Sequence, residues 1–313
     1  MIENIKRDNL INGQYQIQKE IGHGSHGKVY EACTVAHHYP VAVKLNSNNQ
    51  LLNREVKIYN YIWNYKKKGK SESLNIPEML WDGEYGNMRA MVMSRLGPSL
   101  DKLFDRYSKK WSLATVCRIA TDCLLLLKEV HKLGLVHRDI KPDNFAVDNS
   151  EGTGIYIFDF GLSSQYISPS GKHIPVRDGL SLIGTMRYAS IHVHEGFLQS
   201  RRDDLESFFY MLLYFTTGSL PWKKINEEVI PDRGLRSLAI LKLKKELSEI
   251  NLPEILYPFF KAIRNLNYSD TFDYDEWILY FGKLACSRNE TDWHIQSNMN
   301  IPRQKHTLRN HTQ

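Results

Sequence analysis

The first third of the chain alternates apolar and polar residues, a pattern typical of half-buried β-strands. The alternation is clearest over residues 15–21, and short apolar runs at residues 29–30 and 41–45 predict two further strands. Residues 50–68 instead show helical spacing, and residues 88–93 predict another strand. The pattern therefore predicts a β-rich unit that carries one main helix.

The remaining two thirds of the chain are dominated by helical patterns. The segment Leu96-Gly97-Pro98-Ser99 ends the strand-rich part, and Ser99 is a suitable N-cap for a short helix after it. Longer helices are predicted at residues 113–133, 202–215, 235–249, 259–266 and 274–284. Residues 288–313 are polar and rich in His and Asn, which predicts a poorly ordered tail. Together these patterns predict an α+β chain with a small β-rich lobe and a larger helical lobe.

The composition is that of an ordinary soluble protein. The chain has 313 residues, 42% of them hydrophobic, which is enough for one large or two medium domains. Its net charge of +6 suits anionic substrates but is also ordinary for an enzyme. Four cysteines without a C-x-x-C pair are typical of reduced intracellular thiols. No signal peptide, lipidation motif or membrane-spanning run is evident, so we expect a cytoplasmic or nuclear monomer that binds no nucleic acid.

A glycine-rich segment links the first two predicted strands, and it reads Ile21-Gly22-His23-Gly24-Ser25-His26-Gly27-Lys28-Val29. A G-x-G-x-x-G segment binds a dinucleotide when a helix follows it. A following strand instead predicts the flap that covers ATP phosphates in protein kinases. Gly22, Gly24 and Gly27 let the backbone approach phosphate groups closely. His26 is either a tolerated planar side chain or a group that stacks or adds pH-dependent charge there.

The strongest chemical signal is the stretch His137-Arg138-Asp139-Ile140-Lys141-Pro142-Asp143-Asn144, followed by Asp159-Phe160-Gly161. These two motifs, in this order and at short range, resemble the catalytic loop and the metal-binding element of protein kinases. Asp139 offers a carboxylate to a substrate hydroxyl, and Lys141 offers a cation to the transferred phosphoryl group. Asn144 and Asp159 offer oxygen ligands to Mg²⁺.

A lysine and a glutamate complete this set. Lys44 ends the run Val41-Ala42-Val43-Lys44, which matches the strand that presents a lysine to the α- and β-phosphates of ATP. Glu55 follows on the predicted helix and can reach back to Lys44. Either residue alone would be an ordinary surface charge, but with the flap and the catalytic loop present we expect a buried ion pair.

Several longer segments resemble the casein kinase 1 family of serine/threonine protein kinases. They are Leu96-Gly97-Pro98-Ser99-Leu100, His173-Ile174-Pro175, Gly184-Thr185-Met186-Arg187-Tyr188-Ala189-Ser190-Ile191-His192, Gln199-Ser200-Arg201-Arg202-Asp203-Asp204-Leu205-Glu206-Ser207 and Gly218-Ser219-Leu220-Pro221-Trp222. Most kinases close the activation segment with Ala-Pro-Glu, whereas this chain has Ala189-Ser190-Ile191, as that family does. The resemblance runs from about residue 15 to residue 284. It implies the two-lobed protein kinase fold, with ATP and Mg²⁺ as cofactors.

The resemblance also implies a division of the chain and a set of nucleotide contacts. The implied parts are an N-terminal leader at 1–14, a small lobe at 15–94, a hinge at 95–98, a large lobe at 99–287 and the tail at 288–313. The residues expected to bind the cofactor, besides the glycines, Lys44, Glu55 and Asp159, are Ile21, Val29, Ala42, Met93 and Leu96. Met93 resembles the residue beside the adenine, and the backbone at Leu96 is expected to hydrogen-bond it.

Substrate recognition is implied in the same way. A lysine two residues after the catalytic aspartate, Lys141, resembles serine/threonine kinases, and Asp204 is expected to anchor the catalytic loop. Arg177 matches a basic residue that family members use to bind a phosphate or acidic group on a protein substrate. Lys223 or Lys224, just after Trp222, is expected to assist, with Lys224 preferred.

Two features depart from a simple assignment. Residues 225–235 replace a lysine-rich stretch that often follows the tryptophan in this family. His192, His194 and Glu195 superficially resemble a metal cluster, but the family match favours a structural or substrate-facing loop.

Two alternatives to an active protein kinase remain at this point, a pseudokinase scaffold and a kinase for small molecules. Against the first, Lys44, Asp139 and Asp159 are all present; against the second, the chain has a long peptide-site region.

Overall fold

The computed structural model describes residues 10–24, 27–71, 73–148 and 154–287. The first nine residues of the expected leader, His26 at the tip of the glycine-rich segment and the expected tail at 288–313 lie outside the described residues. The described part forms an antiparallel β-sheet lobe and a helical lobe, which confirms the predicted α+β architecture. No helix in the described part is long and apolar enough to cross a membrane.

The small lobe is a six-stranded antiparallel sheet in the order β1-β2-β3-β4-β6-β5, with one long helix, α1, beside it. Its elements are β1 (Leu10–Ile11), β2 (Tyr15–Gly24), β3 (Gly27–Thr34), β4 (Pro40–Asn46), α1 (Asn49–Lys67), β5 (Met79–Tyr85) and β6 (Met88–Ser94). Alternating side chains of the first four strands form the apolar face of the sheet, and they include the fully buried Ile11, Ala32 and Val43. The strands predicted from alternation are therefore present, and they are longer than predicted because cross-strand pairing extends them.

Two strands of the small lobe, β1 and β5, were not predicted. β1 lies inside the expected leader, where only two residues pair with β2 and no alternation can be recognised. β5 carries Asp82 and Gly83, which have low strand propensity and hid its pairing with β6. Both strands exist because the neighbouring strand supplies hydrogen-bond partners, and the sequence pattern does not report that contribution.

The large lobe is mostly helical. Its helices are α2 (Leu100–Arg106), α3 (Leu113–Lys132), α4 (Ile191–His194), α5 (Arg201–Thr217), α6 (Arg233–Lys245), α7 (Tyr257–Arg264) and α8 (Tyr274–Cys286). Short strands pair as β7 (Leu135–Val136) with β10 (Ser164–Gln165) and as β8 (Phe145–Val147) with β9 (Ile155–Ile157). Helix α5 is buried on nearly all sides, so it forms the centre of this lobe.

Helix boundaries follow the capping side chains. The Ser99 side chain accepts a hydrogen bond from the backbone nitrogen of Lys102, as predicted for the short helix α2. Ser200 and Asp203 form a capping box at the start of α5. Helix α6 was predicted at residues 235–249 but begins at Arg233, after the cap Asp232, and ends at Lys245. A separate 3-10 turn at Glu249–Asn251 follows it.

The two lobes meet at residues 95–98. The backbone nitrogen of Gly97 donates to the carbonyl oxygen of Val147 at 2.9 Å, and the nitrogen of Val147 donates to Pro98 at 3.2 Å. The apolar face of α1, formed by Leu52, Val56, Tyr59 and Ile62, belongs to the same hydrophobic cluster as the large lobe. The connection therefore joins the sheet to the large lobe, whose hydrophobic cluster also contains the apolar face of α1.

Candidate active site

A cleft of about 1170 Å³ lies between the sheet and the large lobe. Every residue expected to bind the cofactor lines it, together with the three expected catalytic residues: Ile21, Gly22, Gly24, Gly27, Val29, Ala42, Lys44, Glu55, Met93, Leu96, Asp139, Lys141, Asn144 and Asp159. Residues distant in sequence are thus gathered on one concave surface. The hinge contributes Leu96, whose carbonyl oxygen accepts a hydrogen bond from the side chain of Arg95 at 2.8 Å.

The described part of the glycine-rich flap comprises the end of β2 and the start of β3. Gly27 has a φ of +111°, and a Cβ at this position would lie 2.2 Å from the carbonyl oxygen of Leu45 on β4. Only glycine tolerates both the backbone angle and this contact. Gly27 therefore lets the flap lie close over β4, the strand that carries Lys44.

The buried Lys44 ammonium forms salt bridges with two carboxylates. Its Nζ lies 2.7 Å from Oε2 of Glu55 on α1 and 2.8 Å from Oδ1 of Asp159. The Lys44 side chain is only 7% exposed and that of Glu55 only 2%. Burial acts to lower the pKa of Lys44, but attraction from Glu55 and Asp159 outweighs it and raises that pKa. The expected ion pair is therefore present, and it is extended to a third residue.

Glu55 shares this ammonium with a second carboxylate. Burial raises the pKa of Glu55 to about 7, against the attraction of Lys44 and with the repulsion of Asp159. Its second oxygen, Oε1, has no hydrogen-bond partner among the described residues. Two carboxylates around one lysine carry an excess of negative charge, so an additional cation bound nearby would stabilise their ionised forms.

The predicted catalytic loop is held in place by the carboxylate of Asp204, which lies on α5. This carboxylate accepts hydrogen bonds from the backbone nitrogens of His137 at 2.7 Å and Arg138 at 2.8 Å, and from Nε2 of His131 at 2.9 Å. Burial alone would raise the pKa of Asp204, but these donors lower it. Arg138 has a φ of +71°, a strained angle for a residue with a side chain. Asp204 therefore occupies the anchoring position expected from the sequence.

Asp139 projects into the cleft with both carboxylate oxygens engaged. Oδ1 accepts from the backbone nitrogen of Thr185 at 2.8 Å, and Oδ2 lies 2.8 Å from Nζ of Lys141. The Lys141 ammonium also donates to Oγ1 of Thr185 at 2.9 Å. Gly184 permits this approach, since a Cβ there would lie 2.5 Å from the carbonyl oxygen of Arg138. The end of the activation segment is thus fixed against the catalytic loop.

Asn144 and Asp159 are suited to hold Mg²⁺. The amide nitrogen of Asn144 donates to the carbonyl oxygen of Asp139 at 2.8 Å and to its Oδ2 at 3.2 Å, so the amide oxygen is the atom that can face a cation. The backbone nitrogen of Phe158 donates to the carbonyl of Asn144 at 3.1 Å, which keeps Asp159 close by. Mg²⁺ commonly takes one or two protein oxygens and completes its shell with phosphate and water oxygens. The residues present therefore fit this ion.

The helix α1 is tied to the large lobe near the activation segment. The Arg54 guanidinium donates to the carbonyl oxygen of Ser163 at 3.1 Å, and the Tyr61 hydroxyl donates to the carbonyl of Leu133 at 2.9 Å. The buried Ser71 hydroxyl donates to Glu129 at 2.7 Å. These contacts hold Glu55 towards Lys44.

The expected anion-binding residues do not line the cleft. Arg177 and Lys224 are exposed and lie outside it, and the carbonyl of Arg177 accepts from the nitrogen of Leu198 at 2.7 Å. Five other arginines line it, Arg95, Arg106, Arg187, Arg233 and Arg236. Arg187 is in the family-like segment at 184–192, so it could have been considered, whereas Arg233 and Arg236 are in or after the divergent stretch and gave no signal.

The histidine-rich segment at 192–195 is structural. His194 contacts Oγ of Ser237 through Nδ1 at 2.7 Å and Nζ of Lys244 through Nε2 at 3.1 Å. Glu195 pairs with Lys245 at 2.6 Å. The expectation of a loop is wrong for most of this segment, because residues Ile191–His194 form the helix α4, which Ser190 caps. The described residues contain no group of three or more His, Cys, Asp or Glu side chains that could hold a metal ion.

Comparison with known families agrees with the cleft. A family model described as the protein kinase domain matches residues 15–272, which is well over half of the chain. The match spans the flap, the Lys44 strand, the catalytic loop, the activation segment and α5 to α7.

Proposed function

We propose that this chain, which belongs to the protein kinase family, is an active serine/threonine kinase of casein kinase 1 type that transfers the γ-phosphate of ATP to proteins. One observation carries the proposal. Lys44 pairs with both Glu55 and Asp159, while Asp139 lies beside Lys141 in the same cleft. A scaffold that only binds partners has no need of this arrangement, so it favours catalysis over the pseudokinase alternative.

Each of these residues has a role in the proposed reaction. Lys44 binds the α- and β-phosphates, and Glu55 keeps its ammonium in place. Mg²⁺, when bound, neutralises phosphate charge, and Asn144 and Asp159 are the residues that would hold it. Asp139 orients the substrate hydroxyl and accepts its proton late in the step. Lys141 stabilises the charge of the phosphoryl group in transfer.

The assignment to serine and threonine substrates rests on Lys141 and on the family resemblance. Lys141 connects Asp139 to Thr185 through contacts of 2.8 and 2.9 Å, so it joins the catalytic base to the activation segment. A substrate chain that lies along residues 185–187 would present its hydroxyl to Asp139. The partners on this proposal are protein substrates.

A preference for acidic or phosphorylated substrates is supported by arginines that line the cleft. Arg187, Arg233 and Arg236 line the same cleft as Asp139, so a substrate anion beside the acceptor residue would meet guanidinium groups. A guanidinium binds a phosphate or carboxylate with two parallel hydrogen bonds. We therefore propose these arginines as a second candidate anion site, beside the exposed Arg177 and Lys224 expected from the sequence.

The test is transfer of radioactive phosphate from ATP to casein, to a Ser/Thr peptide library and to small alcohols. Asp159→Asn should reduce peptide phosphorylation by about three orders of magnitude or more, because metal binding and positioning supply most of the rate. The exposed Asp178→Asn is the matched control and should keep the parent rate. Undiminished activity of a pure Asp159→Asn preparation would refute the mechanism.

The same assay separates the alternatives. Transfer only to alcohols would favour a small-molecule kinase. If the parent phosphorylates nothing while binding ATP, the pseudokinase interpretation is correct. Lys44→Met serves as the control for a contaminating kinase, because it removes the buried ammonium that binds ATP phosphates.

A further inference from the structure

We propose that Lys244, a fully buried lysine on α6, is a positioning residue that holds the substrate-facing end of the activation segment in place for phosphoryl transfer to a peptide. The proposal rests on the kinase function proposed above and adds a residue that does not line the catalytic cleft. Three observations support it: the acceptors around the Lys244 ammonium, its lack of a carboxylate partner, and the path from those acceptors to Asp139.

The Lys244 ammonium contacts acceptors from a single segment of the chain. Its Nζ lies 3.1 Å from the carbonyl oxygen of Met186 and 3.1 Å from Nε2 of His194, and it donates to the carbonyl oxygen of Ala189. The rings of Tyr210 and Trp222 cover it, with centroids 4.6 and 4.9 Å from Nζ. An ammonium has three N–H donors, which match these three acceptors.

His194 is suited to be the third acceptor. Burial, together with the nearby Lys244, lowers the pKa of His194 to about 3, so the imidazole is neutral at physiological pH. Its Nδ1 lies 2.7 Å from the hydroxyl oxygen of Ser237. If Nδ1 carries the proton and donates to Ser237, Nε2 is left to accept from Lys244.

No described carboxylate forms an ion pair with Lys244, although its neighbours Lys245 and Arg264 each contact one. Burial lowers the pKa of Lys244, and Glu206 opposes this only through space. Burying an ammonium without a carboxylate is unfavourable, so the site depends on its carbonyl and aromatic partners. An apolar side chain would fill the space without this penalty, but it would leave the carbonyls of Met186 and Ala189 without their donor.

The segment that Lys244 holds is continuous with the catalytic centre. The backbone nitrogens of Tyr188 and Ala189 both donate to the carbonyl oxygen of Thr185, at 2.9 and 3.0 Å, which makes residues 185–189 a tight turn. The nitrogen of Thr185 donates to Asp139. Fixing the carbonyls at 186 and 189 therefore fixes the turn that orients Thr185 and presents Arg187 to the cleft.

The end of the activation segment explains why such a contact is needed. Ile191 occupies the place where most kinases have the glutamate of Ala-Pro-Glu, so no acidic side chain is available there. Its backbone nitrogen and the Ser190 hydroxyl bind Glu206 and Asp203 of α5, at 3.0 and 2.5 Å. Helix α5 therefore holds residues 190–191, and α6, through Lys244, holds the turn just before them.

The test compares Lys244→Met with Lys242→Met, which removes an exposed lysine from the same helix. The measured quantities are the peptide KM, the ATP KM and the hydrogen–deuterium exchange of backbone amides at residues 184–198. We expect Lys244→Met to raise the peptide KM about tenfold, the effect of losing one or two hydrogen bonds, with the ATP KM unchanged within about twofold. Exchange at 184–198 should become faster than in the control, while exchange in α1 and the sheet should not.

The outcomes separate a positioning role from simple packing. A folded Lys244→Met protein with the parent's peptide KM and exchange rates would overturn the proposal, even if it unfolded at a lower temperature. If Lys244→Met does not fold, His194→Phe removes one acceptor and should shift both quantities in the same direction by a smaller factor; no shift would again overturn it. If the parent phosphorylates no peptide, the proposed function fails, and the exchange measurement alone decides the role of Lys244.

Discussion

Replacing Asp204 with asparagine should weaken the fold and the catalytic loop together. The carboxylate of Asp204 is fully buried and accepts from three donors, the nitrogens of His137 and Arg138 and Nε2 of His131. Asparagine has nearly the same shape, but one of its two terminal atoms is a donor. In the less damaging orientation, the amide nitrogen faces the N–H of Arg138, and the amide oxygen keeps the other two donors.

The magnitude follows from these contacts. One buried N–H is left without an acceptor, which costs about 1–3 kcal/mol, and two charge-assisted hydrogen bonds become neutral ones, which loses roughly another 1–2 kcal/mol. In the variant, the side chain at position 204 no longer holds the backbone of Arg138 at its φ of +71°. The backbone strain of about 1–3 kcal/mol at this residue can then relax, and the relaxation moves Asp139. We therefore expect a loss of about 2–5 kcal/mol in the free energy of unfolding. We also expect kcat to fall on the order of a hundredfold, because small displacements of a catalytic group have such effects.

The assay is urea unfolding followed by tryptophan fluorescence, combined with peptide phosphorylation at a temperature where both proteins are folded. Asp105→Asn is the control, because Asp105 is an exposed residue that pairs with Lys109 across one helical turn, and its loss should change stability by less than about 0.5 kcal/mol. An Asp204→Asn protein as stable as this control would refute the reasoning, since it would mean that the three donors do not depend on a charged acceptor.

Three further predictions concern recognition, activation and pH. Arg187→Ala should reduce turnover of acidic or phosphorylated peptides about tenfold more than that of neutral ones; if Arg177→Ala has this effect and Arg187→Ala does not, the anion site is at Arg177, as the sequence predicted. Protein treated exhaustively with phosphatase should retain its rate, because Lys44 already pairs with Glu55 without any phosphate group; an inactive treated enzyme that an upstream kinase rescues would contradict this. The pKa of His194 is about 3 in the folded protein, whereas a histidine in the unfolded chain has a pKa of about 6.5. On acidification the unfolded chain therefore binds this proton first. As a result, the free energy of unfolding falls by about 1.4 kcal/mol per pH unit between about pH 6.5 and pH 3. His194→Phe should reduce this slope in urea titrations and the exposed His37→Asn should not; equal slopes in all proteins would exclude His194 as the source.

The sequence predicted which residues line the cleft because they lie in short motifs. Asp139, Lys141 and Asn144 are within six positions of one another, and Lys44 lies at the end of a short apolar run that predicts a strand. The pairing of Lys44 with both Glu55 and Asp159 required the fold, since Asp159 is 115 positions away. Such a contact leaves no trace in a local pattern.

The proposed role of Lys244 could not be predicted for the same reason. Lys244 is part of Lys242-Leu243-Lys244-Lys245, which indicates an ordinary solvated helix face, yet Lys244 is fully buried while its neighbours are exposed. Its burial depends on Tyr210 and Trp222, which come from other parts of the large lobe. Strand β5 was missed because its pairing, and not its composition, makes it a strand.

The packing of α1 places the carboxylate partners of Lys44 on a different hydrophobic cluster from the strand that carries Lys44. The apolar face of α1 belongs to the cluster of the large lobe, whereas most buried side chains of the sheet form a second cluster. The sheet residues that contact the large-lobe cluster include Met79, Met91 and Met93 on β5 and β6. Methionine side chains are unbranched and adapt to changes in packing. A tilt of the sheet relative to α1 would therefore repack these methionines and stretch the contacts of the Lys44 ammonium with Glu55 and Asp159, so these two salt bridges would resist such a motion.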